Sequence, residues 1–112
     1  MESRDLRSLV RFSQDSVQRT QVHESLRIWS ELLCVSSNQT VGPIRDEDSD
    51  AIFVIVAGEA AFQVGGRRKR LKQWATVLVP AGSDVVVANA SVEPLVLLVT
   101  AAPPPVHREV TG

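Results

Sequence analysis

Side chains able to do chemistry are few in this 112-residue chain. There are two histidines, His23 and His107, and one cysteine, Cys34. One cysteine permits no intramolecular disulfide and excludes a cysteine-based zinc site. Two histidines are too few for a histidine-rich metal centre within one chain. Cys34 has no histidine near it in sequence, so a buried structural thiol is the expectation. His23 precedes the first long apolar segment and His107 follows a proline run, and both are expected at the surface. Carboxylates gather in Asp46-Glu47-Asp48-Ser49-Asp50. The alternating aspartates superficially match a calcium loop. The sixth and twelfth positions, which should be Gly and Glu, are Ala51 and Ala57, so a solvated loop is expected. Cations gather in Arg67-Arg68-Lys69-Arg70 and Lys72. Such a run can contact phosphate or an acidic surface, but no aromatic residue interleaves with it as a stacking platform. An exposed face with the acidic loop among its neighbours is expected.

Composition sets the frame for these groups. The formal net charge is −1, 44% of residues are hydrophobic and 22% are charged. That is the profile of one globular domain, with no global charge that would draw nucleic acid. No apolar run approaches the roughly 20 residues that cross a bilayer. The start, Met1-Glu-Ser-Arg-Asp5, lacks the basic-then-apolar layout of a signal peptide. The expectation is a cytoplasmic protein with neither nucleic-acid nor membrane partners.

The elements that must position the chemistry read as strands. Valine is abundant and no long stretch has a 3.6-residue period. Strand patterns fall at residues 8–12, 25–35, 51–56, 60–64, 67–72, 76–79, 85–88 and 95–99. Leu6-x-x-Leu9-Val10 reads equally as a frayed helical turn or an edge strand. Gly42-Pro43 is expected to break the chain, Gly65-Gly66 to turn a hairpin, and Pro80-Ala81-Gly82 to turn the chain again. Pro103-Pro104-Pro105 ends the pattern and begins an extended tail. Eight short strands with turn signals between them predict an all-β fold, a small antiparallel β-barrel or sandwich.

Three segments carry a family resemblance. Asp50-Ala-Ile-Phe-Val-Ile-Val-Ala-Gly-Glu59 looks like the first cupin segment. Thr76-Val-Leu-Val-Pro-Ala-Gly82, followed by Asn89, looks like the second, and Glu93-Pro-Leu-Val-Leu-Leu-Val99 is similar to the last barrel strand of small cupins. The resemblance spans residues 25–105. It implies a cupin-like jelly roll at residues 25–102, an N-terminal arm at 1–24 and a proline-rich tail at 103–112. It further implies a homodimer, with the arm pairing onto a second chain's sheet. The departures are as informative. Where the pattern has three His and one Glu as metal ligands, this chain has Ile44, Asp46, Val85 and Ala51. Only Asp46 can ligate, so no metal and no other cofactor is expected. Asn38 and Trp74 replace turn glycines of the pattern, and the turn at Trp74 is therefore expected to differ.

Alternation from Ala51 turns Phe53 and Ile55 inward, towards Val85, Val87 and Asn89 on a facing strand. Cys34 and Gln63 lie on strands expected to reach the same interior. With Ile44, Asp46 and Ala51 they outline an apolar pocket holding a few hydrogen-bonding groups. Trp29 and Glu31 share one strand face, which is either the interior or a dimer contact. Trp74 marks either an interface or a cover over the barrel mouth. The leading expectation is a metal-free module that binds a small molecule or regulates. One alternative is a metal-independent isomerase or lyase with Asp46 as general base. Another is a filled barrel with a structural or oligomeric role.

Overall fold

The computed structural model describes residues 1–105. Among them nine strands form two antiparallel sheets. The strands are β1 (Gln18–Glu24), β2 (Trp29–Val35), β3 (Thr40–Ile44), β4 (Asp50–Ala57), β5 (Glu59–Val64), β6 (Arg67–Lys72), β7 (Thr76–Val79), β8 (Val85–Asn89) and β9 (Leu95–Ala102). One sheet runs β1-β2-β9-β4-β7 and the other β3-β8-β5-β6. The all-β expectation holds. The barrel is not closed by hydrogen bonds: two sheets pack face to face as a jelly roll. No helix among the described residues is long and apolar enough to cross a membrane.

Two strands lie outside the sequence pattern, and one expected strand is absent. β1 is polar and lies within the segment expected to be an arm for a second chain. It pairs with β2 of its own chain, with Gln18 opposite Cys34 and Glu24 opposite Trp29, and forms the edge of that sheet. β3 runs through Gly42-Pro43 rather than stopping there. A register shift between Val41 and Ile44 absorbs the proline, and β3 is an edge strand, so the missing N–H costs no ladder bond. Residues 8–12 form no strand. Leu6–Leu9 is a single 3-10 turn capped by Asp5, whose carboxylate accepts from the Arg7 N–H. The segment expected to begin at residue 25 begins as a strand only at Trp29. The Ser25 hydroxyl accepts from the N–H groups of Arg27 and Ile28 and makes the hairpin turn.

The main core lies between the sheets. Leu33, Val35, Phe53, Ile55, Phe62, Val87, Leu95 and Leu97 are buried there, and Phe53 meets Phe62 edge to face with centroids 5.5 Å apart. A second cluster covers the outer side of β2 and β9. It contains Val22, Leu32, Cys34 and Val96, with Leu6 and Leu9 of the 3-10 turn packed against it. β2 and β9 are thus apolar on both faces, which explains their unbroken hydrophobic runs.

Two polar or backbone devices hold this packing in register. Asn89 is buried at the end of β8. Its amide donates to the carbonyls of Val35 at 3.0 Å and Glu93 at 2.8 Å, and its oxygen accepts from the Ser91 N–H at 2.9 Å. Gly58 joins β4 to β5 at φ +90°, and a Cβ there would sit 2.4 Å from the Pro94 carbonyl oxygen. Asn89→Ala leaves the Val35 and Glu93 carbonyls without these donors. It is expected to lower the unfolding free energy by about 2 kcal/mol. A loss below about 0.5 kcal/mol in urea unfolding would show that the latch contributes nothing. Gly58→Ala is expected to cost about 2–3 kcal/mol. Gly66→Ala, at φ +87° with open space around it, should cost only the backbone term of about 1 kcal/mol. Equal losses for the two glycines would remove the Pro94 contact from the account.

Candidate functional site

A cavity of about 930 Å³ lies between the sheets and opens where β3 and β7 end and β4 and β8 begin. Its walls are hydrocarbon and aromatic: Trp29 and Leu33 from β2, Phe53 from β4, Val85 from β8 and Val99 from β9. Alternation places them. Trp29, Glu31 and Leu33 share the inner face of β2, and β9 contributes Val99 and Ala101 from the same layer.

Polar groups sit at the walls and mouth. Arg19 on β1 brings Nη1 to 3.9 Å from Oε1 of Glu31 on β2. The Glu31 side chain is only 13% exposed and that of Arg19 is 39% exposed, so the pair is partly withdrawn from water. Arg45 at the mouth lies between Glu47 at 3.3 Å and Asp84 at 3.6 Å. Oδ1 of Asp46 accepts from the N–H groups of Asp48 and Ser49, both at 2.9 Å. The Asp46 carbonyl accepts from the Gly82 N–H at 2.7 Å, and Asp50 Oδ1 accepts from the Ala81 N–H at 2.8 Å. The acidic loop therefore ties the β3–β4 connection to the turn after β7. Its aspartates organise backbone, and both donors to the Asp46 side chain fall on one carboxylate oxygen, Oδ1.

The sequence-derived candidates divide by depth and face. Ile44, Asp46, Ala51, Phe53 and Val85 line the cavity. Ile55 and Val87 lie deeper, fully buried in the core, and Asn89 is the latch described above. Cys34 does not reach the interior. It is one residue out of phase with Trp29, Glu31 and Leu33, and it packs beneath Leu6 and Leu9 on the opposite face. Burial there pushes its thiol pKa up, against a smaller opposing pull from Arg11. Gln63 is also out of phase, next to inward-facing Phe62, and lines a separate outer depression with Arg45 and Asp84. Trp29 and Glu31, for which interior and interface were both open, belong to the interior. Arg19 escapes sequence reasoning because polar β1 reads as an arm.

The remaining candidates lie elsewhere. β6 is an edge strand with its cations exposed. Arg70 approaches Glu59 at 3.4 Å and donates to the Ala90 carbonyl, and no ion pair joins β6 to the acidic loop among the described residues. Like charges on an unpaired edge oppose strand-on-strand aggregation. His23 is part-exposed on β1, with Nδ1 3.7 Å from Glu2. His107 lies outside the described residues. Trp74 is 73% exposed and away from the cavity mouth. Its φ of +76° is the left-handed conformation a glycine would take, so the turn keeps its backbone shape despite the substitution.

The metal ligand set of the cupin pattern does not fit this site. Ile44, Ala51 and Val85 carry no lone pairs, and Asp46 is engaged by its own loop. No group of three or more His, Cys, Asp or Glu side chains converges among the described residues.

Comparison with known proteins agrees with the architecture. No curated protein matches the chain. Among solved structures, TT1209 from Thermus thermophilus is 30% identical over 94% of this chain and 100% of its own, with a TM-score of 0.89. An uncharacterized conserved protein with a double-stranded β-helix domain from Klebsiella pneumoniae is 22% identical over 91% of each chain, with a TM-score of 0.84. The cupin domain of Schizosaccharomyces pombe Cnp3 is 17% identical over 98% of this chain and 80% of its own, with a TM-score of 0.81. The latter two likenesses speak to fold alone. The family model described as "Cupin domain" matches residues 32–101, from the inner strand β2 to the end of the wall formed by β9. With its two-sheet jelly roll and that match over most of its length, this chain belongs to the cupin family.

Proposed function

We propose that this cupin is a metal-independent module that binds a small organic molecule between its sheets. The observation that carries the reading is the cavity: about 930 Å³, open to solvent, with aromatic and aliphatic walls and a few charged groups at the margin. That is the usual make-up of a small-molecule site. A filled structural barrel would close this space with side chains, as the deeper core does around Ile55 and Val87. An acid–base enzyme would have to work through Asp46, whose Oδ1 is held by its turn.

Screening by thermal shift against small organic acids, amino acids, sugars and aromatics tests the reading. Ligand at about 100 times its Kd stabilises the folded state by about 2.7 kcal/mol, a shift of several degrees for a domain of this size. Ala51→Phe, which fills the cavity from β4, should abolish the shift while the variant keeps a cooperative melt. The proposal fails if no compound class shifts the wild type, or if purified protein carries a stoichiometric transition metal.

A second property rests on a different surface. We propose that the outer face of β4 and β7 joins two copies of the chain. Ile52 and Leu78 are directly opposite one another across the two strands and are 47% and 62% exposed. Trp74, in the turn that leads into β7, is 73% exposed. Two exposed aliphatics side by side, with an exposed aromatic in the adjoining turn, favour self-association. Light scattering after size exclusion should give twice the chain mass for wild type and the chain mass for Leu78→Lys. A wild-type monomer at tens of micromolar removes the dimer.

A further inference from the structure

Apart from the cavity, we infer that the open edge of β6 is a docking strand for an extended acidic segment of a partner protein. The segment adds to the sheet antiparallel to β6, as every strand pair in both sheets already runs. Five of the six residues of β6 are cations, Arg67, Arg68, Lys69, Arg70 and Lys72, and all five are exposed. The whole chain has a net charge of −1, so β6 is a local concentration of positive charge on a balanced surface. Little of that charge is met within the fold. Glu59 stands opposite Lys72 and approaches Arg70 at 3.4 Å. Arg67, Arg68 and Lys69 make no ion pair among the described residues.

The backbone of the same strand is open. β6 has β5 on one side and no strand on the other. The turn at Gly65-Gly66 is closed by the pair Val64 and Arg67. Bonded and non-bonded pairs alternate along an antiparallel ladder. Arg67, Lys69 and Leu71 therefore turn their N–H and C=O groups to β5, and Arg68 and Arg70 turn theirs outward. On the far side of β5 the Glu59 carbonyl accepts from the Ala90 N–H, as the same alternation requires. The Lys72 carbonyl, at the end of the open edge, accepts from the Ala75 N–H. The ladder positions left for another strand are Arg68 and Arg70.

Chemistry separates the possible occupants. The β6 strand of a second copy would set cations against cations, which opposes pairing. The acidic loop of a second copy is a turn, and its Asp46 and Asp50 side chains already accept from backbone. Single-stranded nucleic acid could use the cations, but it would leave the outward groups of Arg68 and Arg70 without a ladder. No aromatic residue lies on β6 to stack its bases either. An extended peptide completes the ladder. Residues directly opposite in an antiparallel pair point to the same face, so carboxylates at alternate positions meet the cations across the strand.

Titrating isotope-labelled protein with an octapeptide of alternating Glu and Thr, followed by amide NMR, tests the assignment. The amide protons of Arg68 and Arg70 should move downfield and gain protection from exchange. The same peptide N-methylated at every residue keeps its charge and loses its donors, and should bind at least about tenfold more weakly. Arg68→Glu should weaken the unmodified peptide by a similar factor. Arg27→Glu, an equal change of net charge in the turn before β2, should leave binding unchanged. The same spectra report whether each variant is folded, and Lys69→Glu replaces Arg68→Glu if that variant unfolds. Equal binding of the N-methylated peptide reduces the contact to charge attraction and overturns the docking strand. Tighter binding of an oligothymidylate of equal charge assigns the edge to nucleic acid and overturns it too. So does the absence of binding, or binding that shifts the amides of other strands instead. None of these results bears on the cavity.

Discussion

The two sheets of this molecule share no hydrogen-bond ladder, so side-chain packing between their inner faces must hold them together. Everything else follows from how far that packing extends. At one end it is complete: Ile55, Val87, Leu95 and Leu97 are fully buried, and Phe53 and Phe62 cross from sheet to sheet. At the other end it stops, and the same alternating strands line a cavity. Phe53 belongs to both regions. Its ring packs on the core side and faces the cavity, so it forms the floor of the site. The site is thus the unfilled continuation of the core, with its apolar walls on strands and its mouth on the connections between them.

The central strands make that floor rigid. β9 is hydrogen-bonded on both edges, to β2 and β4, and is apolar on both faces. The outward face of β2 and β9 is covered by the N-terminal 3-10 turn through Leu6 and Leu9. Burying Leu32, Cys34 and Val96 this way seals the rear of the cavity wall. A residue such as Cys34 is therefore part of the site's support, though it never faces the site.

These features are unevenly legible in the sequence. Strands with one buried face, such as β4 and β8, announce their phase, and Phe53, Ile55, Val85 and Val87 are buried in the phase that alternation predicts. β2 is buried on both faces, so hydropathy gives no phase. Cys34 and Trp29 look equally inward, and only pairing with β1 and β9 separates them. Gln63 invites an inward placement for its hydrogen-bonding ability, although the neighbouring Phe62 already occupies that phase. β1 and β3 are edges, one polar and one carrying Gly-Pro, so neither has the apolar alternation by which strands are recognised. Without β1, Arg19 stays hidden, and with it the charged pair at the cavity wall.

The turns show why a backbone outlasts its residues. Asn38 and Trp74 stand where the cupin pattern has glycine, yet both keep positive φ, at 69° and 76°. Ladder closure dictates the turn: the Trp74 N–H donates to the Ile55 carbonyl at 2.8 Å, and the Ala75 carbonyl accepts from the Ile55 N–H at 3.0 Å. Asparagine tolerates that conformation readily, but for tryptophan it costs about 1–2 kcal/mol. The cost is not recovered inside the chain, because the indole is 73% exposed. The indole stands outward from a strained turn that leads into β7, whose exposed Leu78 lies opposite Ile52. The same constraint that keeps β7 in register thus holds an apolar side chain outside the fold, while the inner faces of the strands line the cavity.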